Sequence, residues 1–334
     1  MAILSDVNKT KIRTMRITFL FSIVLMVIKF FAYFITHSVA VLSDALESII
    51  NVVAGAFALY SIYFASQPKD ADHPYGHGKI ENLSAGFEGS LIFIAGISII
   101  GNAVYSFFFP PVLEKLDVGL ALSGFAGLCN FGMGSYLVRK GKYFNSLTML
   151  ADGKHLISDT VSSIGLIVGL VLIYFTNILW IDNAMAIIFG SVILFTGFKL
   201  VRESVTNLLD KADLEKLNHL ISILNKNRRS QWIDMHNLRI LKYGSRLHID
   251  VHLTLPWYNS LEESHKEMCA VEKIVKENMN DEIEFFIHAD PCPPSSCPLC
   301  TIENCLHRKF PFVIKLEWTM ENLLPDDTHK ILNL

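Results

Sequence analysis

Two pairs of metal-ligand residues sit inside long apolar runs. His155 and Asp159 stand four residues apart in the run from Leu147 to Phe175, and Glu47 and Asn51 stand four apart in the run from Val39 to Phe64. An i,i+4 spacing puts both members of a pair on one helix face. A charge held at mid-membrane is expensive, so ionisable groups there are functional candidates by default. If the two faces meet, an imidazole, two carboxylates and an amide oxygen converge. That ligand set suits a divalent metal ion.

Three other groups have ligand chemistry. The segment Ser66–Glu81 contains Pro74, Gly76 and Gly78 and therefore reads as a loop. Within it Asp70, His73 and His77 crowd together, which suits either metal capture or an ordinary solvated loop. Further on, His288 and Asp290 are two residues apart and share a strand face, and with His236, His252 and His265 they form a candidate cytoplasmic metal site. Last comes Cys292-x4-Cys297-x2-Cys300-x4-Cys305, followed by His307. Four thiolates so close suit a structural tetrahedral Zn²⁺. An iron–sulfur cluster is the alternative, less favoured because the run as a whole matches neither common ferredoxin pattern. Four unliganded thiols are the third reading.

The elements that must position these residues follow from composition. The chain is 51% hydrophobic and 18% charged over 334 residues, too apolar for a soluble protein of this size. A spanning helix needs about 20 predominantly apolar residues. Six stretches qualify, at roughly 14–36, 39–65, 82–109, 118–138, 146–175 and 178–201. With the N-terminus cytoplasmic, the inner segments hold Lys9, Lys11, Arg13, Lys69, Lys79, Arg139, Lys140, Lys142, Lys199 and Arg202, and the outer turns only Lys115. An even number of spans returns the C-terminus to the cytoplasm. The first run lacks a small-residue cleavage site and reads as a helix, not a removed signal. A reducing cytoplasm favours thiols or metal ligands over disulfides for the six cysteines.

Beyond the last span the pattern turns to helix, strand, strand, helix, strand. Asp213 caps a helix to about Asn225; Met235–Lys242, Leu247–Leu255 and Glu282–His288 are strands; Ser260–Asn278 is an amphipathic helix. We therefore expect a six-helix transmembrane domain over 1–205, an α+β ferredoxin-like metal-binding domain over 206–291, and a Cys-rich extension over 292–334. The net charge of −3 argues for no polyanionic partner, and neither a nucleotide-binding loop nor a nucleic-acid motif is present.

These residues together resemble the cation diffusion facilitator family of divalent metal–proton antiporters, from the first span through Asp290. Ser38-Val-Ala-Val-Leu-Ser-Asp44-Ala-Leu-Glu47-Ser-Ile-Ile-Asn51 is similar to the family's second helix, and Ala151-Asp152-Gly-Lys-His155-Leu-Ile-Ser-Asp159 to its fifth. His-Pro-Tyr-Gly-His-Gly-Lys-Ile-Glu resembles its signature loop. The resemblance implies a transport site at Glu47, Asn51, His155 and Asp159, and a second site at Asp70, His73 and His77. It also implies a binuclear cytoplasmic site at His236, His252, His265, His288 and Asp290, and a homodimer. Glu47 and Asn51 depart from the family's usual second-helix pair, Lys154 stands where a gate residue tends to be apolar, and the cysteine tail lies outside the family core.

Metal ligands must be deprotonated, so loading the site releases protons and protonation expels metal. The expected function is export of divalent cations, Zn²⁺ first and Fe²⁺, Co²⁺ or Mn²⁺ also, from the cytoplasm across the cell (inner) membrane. Asp152 and Asp44 are acidic steps on either side of the site. A membrane-anchored metal sensor and an intramembrane metalloenzyme are the competing classes. The second is disfavoured by the lack of a His-Glu-x-x-His motif.

Overall fold

A computed structural model of the chain describes residues 2–36, 39–108, 117–176, 180–243, 246–279 and 282–330. They belong to two compact units, Met1–Leu209 and Asp210–Leu334.

The first unit is six long helices: α1 Ala2–Thr36, α2 Val39–Ala65, α3 Ile80–Phe108, α4 Asp117–Tyr143, α5 Leu147–Thr176 and α6 Trp180–Leu208. Their surfaces are inverted relative to a water-soluble bundle. On α1 the exposed residues Ile17, Leu20, Val24, Val27 and Phe31 recur at steps of three and four, whereas Thr14, Thr18 and Ser22 are buried. Apolar side chains face outward because lipid tails are the solvent, and polar ones turn in to partners. By length and apolar composition, four stretches among the described residues qualify as spans: Asp6–Phe31, Ser48–Ala65, Ile80–Phe108 and Asn183–Leu208. Helices α4 and α5 are as long, at 27 and 30 residues. Helix α5 carries Asp152, Lys154, His155 and Asp159, of which Asp152 and His155 are buried.

Two glycine seams bring the helices close. A Cβ at Gly197 of α6 would lie 2.4 Å from the Phe93 nitrogen and 2.8 Å from the Gly89 carbonyl oxygen of α3. A Cβ at Gly153 of α5 would lie 2.9 Å from the Gly134 carbonyl oxygen of α4. Where lipid removes the hydrophobic drive between helices, such backbone approach supplies the packing energy. A buried ion pair, Lys11 Nζ to Glu81 Oε1 at 3.6 Å, joins α1 to α3. The Ser146 hydroxyl donates to the same carboxylate, and the Thr148 hydroxyl donates to the Glu81 carbonyl at 3.0 Å. Lys11, expected only as part of the cytoplasmic positive charge, is thus also a structural tie.

The second unit contains α7 Leu214–Lys226, β1 Asp234–Tyr243, β2 Arg246–Leu255, α8 Leu261–Asn278, β3 Glu282–Pro291, the short 3₁₀ turn η1 Pro294–Leu299 and α9 Met320–Leu323. Asp213 accepts from the Lys216 N–H to start α7, and a Ser260–Glu263 capping box starts α8. The sheet order is β1-β2-β3, β1–β2 antiparallel and β2–β3 parallel, with α8 as the crossover. Leu247, Ile249, Val251 and Leu253 are all buried against Leu217, Leu220, Leu224, Val271 and Val275. This is the ferredoxin-like α+β arrangement that the period-2 pattern of β2 implied. The chain after Pro291 is part of the same unit: Trp318 and Leu323 are buried in its core. The Asn225 side chain both donates to the Trp318 carbonyl (2.6 Å) and accepts from its N–H (3.1 Å).

The α3–α6 seam predicts that Gly197→Leu destabilises the first unit. Overpacking a tight contact costs about 1–3 kcal/mol, and more where backbone must move. The expected readout is a lowered unfolding temperature in detergent, whereas Gly101→Ala, where a Cβ meets nothing within 4 Å, leaves it unchanged.

Candidate metal sites

The first site lies among α2, α3 and α5. The Asn51 amide nitrogen donates to Asp159 Oδ2 at 2.7 Å, and its amide oxygen stands 2.9 Å from His155 Nε2. Oriented this way, the amide oxygen faces an Nε2 that holds a proton, and Nδ1 points the other way. There Nδ1 stands 3.6 Å from Glu88 Oε2 of α3. Glu88 is 0% exposed, and neither of its oxygens has a hydrogen-bond partner among the described residues. A buried carboxyl without a donor requires a proton or a cation as counter-charge. Asp152, one turn before His155, is buried as well. Three of the four expected residues, Asn51, His155 and Asp159, are therefore in contact. Glu47 sits one turn before Asn51 on α2, and its side chain, like that of Asp44, lies outside the described residues.

Glu88 was not among the expected ligands. Its signal was present in the sequence: α3 has acidic residues only at Glu81 and Glu88, seven apart and so on one helix face. An acidic residue within an apolar span is itself a functional candidate.

The second site is the loop between α2 and α3. Asp70 holds both histidines, with His73 Nδ1 at 3.0 Å from Oδ1 and His77 Nε2 at 3.2 Å from Oδ2. Gly76 takes φ 89°, a turn that folds His77 back toward His73, whose ring centroid is 4.4 Å away. His77 is buried, with the Phe64 ring edge-on at 4.5 Å. One ligand atom from each of Asp70, His73 and His77 lies within 4.8 Å of the others.

The third site is built by strand register. His236, His252 and His288 are directly paired across β1, β2 and β3, which lines them up on one sheet face. His252 Nδ1 is 3.1 Å and His236 Nε2 3.6 Å from Asp290 Oδ2, and His288 Nε2 is 3.4 Å from Asp290 Oδ1. A β-bulge between His236 and Arg239 puts Asn237 at φ 52° and its amide 3.3 Å from His252 Nε2. Bulges of this kind re-aim side chains at functional edges. Burial pushes the His236 imidazole below its ordinary range, which favours the neutral form that binds metal. His265 stands apart from this group. It is on α8 with Nε2 3.5 Å from the Cys269 sulfur, and the group at metal-ligand spacing is His236, His252 and Asp290 without it. A helix behind one face of the sheet cannot deliver a side chain to the opposite face of the same domain.

Sequence reading also missed Asp234. This buried carboxylate lies 3.9 Å from His236 Nδ1 and accepts from the His329 N–H at 3.0 Å. The His329 imidazole is bound to it as well, and that bond raises the His329 pKa.

Cys292, Cys297, Cys300 and Cys305 are free thiols that line one cavity of about 80 Å³. Among the described residues no three of their sulfurs lie within 4.8 Å of one another. A tetrahedral zinc with bonds of about 2.3 Å holds its four sulfurs about 3.8 Å apart. The expected single-zinc clip is not shown: the thiols line one cavity but do not group at metal-ligand spacing among the described residues.

Comparison with known proteins agrees with both units. Residues 15–209 match the family profile described as the cation efflux transmembrane domain, and residues 212–292 the profile described as the cation efflux protein, cytoplasmic domain. An uncharacterized transporter of Synechocystis sp. is 32% identical over 80% of this chain and 90% of its own. The manganese efflux system protein MneP of Bacillus subtilis is 27% identical over 81% and 92%. The cation-efflux pump FieF of Salmonella typhi is 27% identical over 80% and 88%. With apolar outward-facing helices, a ferredoxin-like domain and both family profiles in sequence, the chain is a membrane protein that belongs to the cation efflux, or cation diffusion facilitator, family.

Proposed function

We propose that the chain exports divalent metal ions in exchange for protons by alternating access, with Zn²⁺ the first cargo and Fe²⁺, Co²⁺ and Mn²⁺ also accepted. The observation that carries this reading is the Asn51 bridge between His155 Nε2 and Asp159 Oδ2. The proton on Nε2 and a metal ion compete for the same lone pair, so binding one releases the other. Glu88, behind the imidazole at 3.6 Å, supplies a second place for a proton. Glu47, one turn along α2, completes the ligand set. An imidazole with hard oxygen donors is less zinc-exclusive than a site with two imidazoles. Relatives named for manganese efflux and for cation efflux support a broad cargo class.

In this reading the unit that matches the transmembrane profile is the transport domain, 1–205, and 206–291 is the cytoplasmic metal-binding domain. The Asp70, His73 and His77 loop captures metal at the inner face, and Asp152 and Asp44 are steps along the path. The protein is a homodimeric transporter of the cell (inner) membrane with both termini cytoplasmic, and not an enzyme. Metal bound through His236, His252, His288 and Asp290 stabilises the cytoplasmic domain.

Transport into proteoliposomes tests the central site. His155→Ala and Asp159→Ala should each abolish Zn²⁺ flux with expression and detergent stability retained. Wild-type flux in either variant removes the proposed site. Glu88→Gln should leave Zn²⁺ binding within a few-fold while flattening the pH dependence of flux, read with a pH-sensitive dye. An unaltered pH profile takes Glu88 out of the proton path.

For the cytoplasmic site, Zn²⁺ at 100 times its Kd should stabilise the folded domain by about 2.7 kcal/mol. The expected result is a metal-dependent rise in the melting temperature of the full chain that His252→Ala with Asp290→Ala removes. A rise that survives this double substitution assigns the effect to other residues.

A further inference from the structure

The cavity lined by Cys292, Cys297, Cys300 and Cys305 lies where the match to the cytoplasmic-domain profile ends, with Trp257 and Tyr258 of the matched part also lining it. Its use is independent of the transport reading. Three observations bear on its ligand.

The first is spacing. If no three sulfurs lie within 4.8 Å of one another, at least two of their six pairwise separations exceed that distance. One tetrahedral ion requires all six at about 3.8 Å. A cluster puts several bonds between thiolates on different irons, so those sulfurs stand farther apart than on a single ion. The thiols line a cavity of about 80 Å³.

The second is hydrogen bonding to the sulfurs. The Lys309 N–H donates to Cys297 Sγ at 3.4 Å and the Tyr258 hydroxyl to Cys305 Sγ at 3.7 Å. Cys297 and Cys305 thus each have a donor directed at the sulfur. Neutral thiols accept weakly and do not call for this, whereas cluster-bound thiolates are stabilised and tuned by it.

The third is the loop itself. The Arg308 guanidinium donates to the carbonyls of Cys297 (2.9 Å), Cys300 (3.0 Å) and Ile302 (2.6 Å). It locks the loop and brings a positive charge beside the thiols. The rings of Trp257 and Tyr258 each stand 4.8 Å from His307 and form an aromatic wall. Taken as four, the cysteines depart from the common ferredoxin patterns, but Cys292-x4-Cys297-x2-Cys300 alone has the plant-type spacing.

We infer that this loop holds an iron–sulfur cluster through Cys292, Cys297, Cys300 and Cys305. Each cysteine binds as a thiolate and gives up its proton, with iron and inorganic sulfide completing the cluster. The test is anaerobic purification of the full chain, or its reconstitution with Fe²⁺ and sulfide, followed by iron, sulfide and zinc analysis. The expected result is iron and acid-labile sulfide in equal amounts, about two or about four per chain, with broad absorption at about 400 nm. Cys297→Ser with Cys300→Ser should lose the absorption and the sulfide, while His236→Ala with His252→Ala retains both. One zinc per chain without sulfide overturns the inference in favour of a loop that closes on a single ion. No metal at all after reconstitution overturns it too, and because that readout is on the unsubstituted chain, it does not depend on whether the cysteine variants fold.

Discussion

Within lipid a buried polar group has no water to turn to, and the first unit is arranged around that constraint. Lys11 finds Glu81, the Ser146 hydroxyl joins them, and Thr14, Thr18 and Ser22 turn inward while Ile17, Leu20 and Val24 face out. The same constraint assembles the candidate metal pocket. Asn51, His155 and Asp159 satisfy one another across α2 and α5, at a depth where lipid offers no water. Glycine seams make this possible. With Gly134 and Gly153 in backbone contact, α4 fixes the rotation of α5 and so the direction in which its His155 and Asp159 point.

A pocket of mutually satisfied groups is also a switch. Asn51 offers its oxygen to a protonated Nε2 and its amide to a carboxylate, so the three side chains are tied to one another. A divalent ion can replace the proton only if the imidazole gives it up. Glu88, without a donor of its own among the described residues, is the adjacent group with unmet electrostatic demand. In the proposed exchange, shared lone pairs would couple proton and metal without a separate linkage.

In the second unit the organising feature is register. A shift of one residue would send His252 to the core face and Val251 to the solvent face, so the burial of Leu247, Ile249, Val251 and Leu253 and the assembly of the histidines are one decision. The tail reinforces it. Trp318 and Leu323 enter the core, and His329 engages Asp234, whose carboxylate stands behind His236. Residues outside the match to the family profile thus support a candidate ligand inside it, as outer partners of metal-binding histidines commonly do.

Helix positions, the soluble α-β-β-α-β order and the pairs His155/Asp159 and Glu47/Asn51 were legible because they rest on local rules: apolar run length, period-2 alternation and i,i+4 spacing. Local rules also made Cys292–Cys305 recognisable as a ligand-rich loop. They could not say how far apart its sulfurs stand, since spacing along a chain bounds distance but does not set it. Nor could they select Glu88, Asp234 and Asn237, whose roles come from elements distant in sequence: a carboxylate on α3 facing α5, a tail histidine facing β1, a bulge facing β2. His265 is the converse case, a residue of the right type that the side of the sheet occupied by α8 keeps from the other ligands of its own chain. Residue chemistry and local periodicity are written one position at a time, whereas a binding site is a set of distances, and only helix rotation, strand register and loop closure determine those.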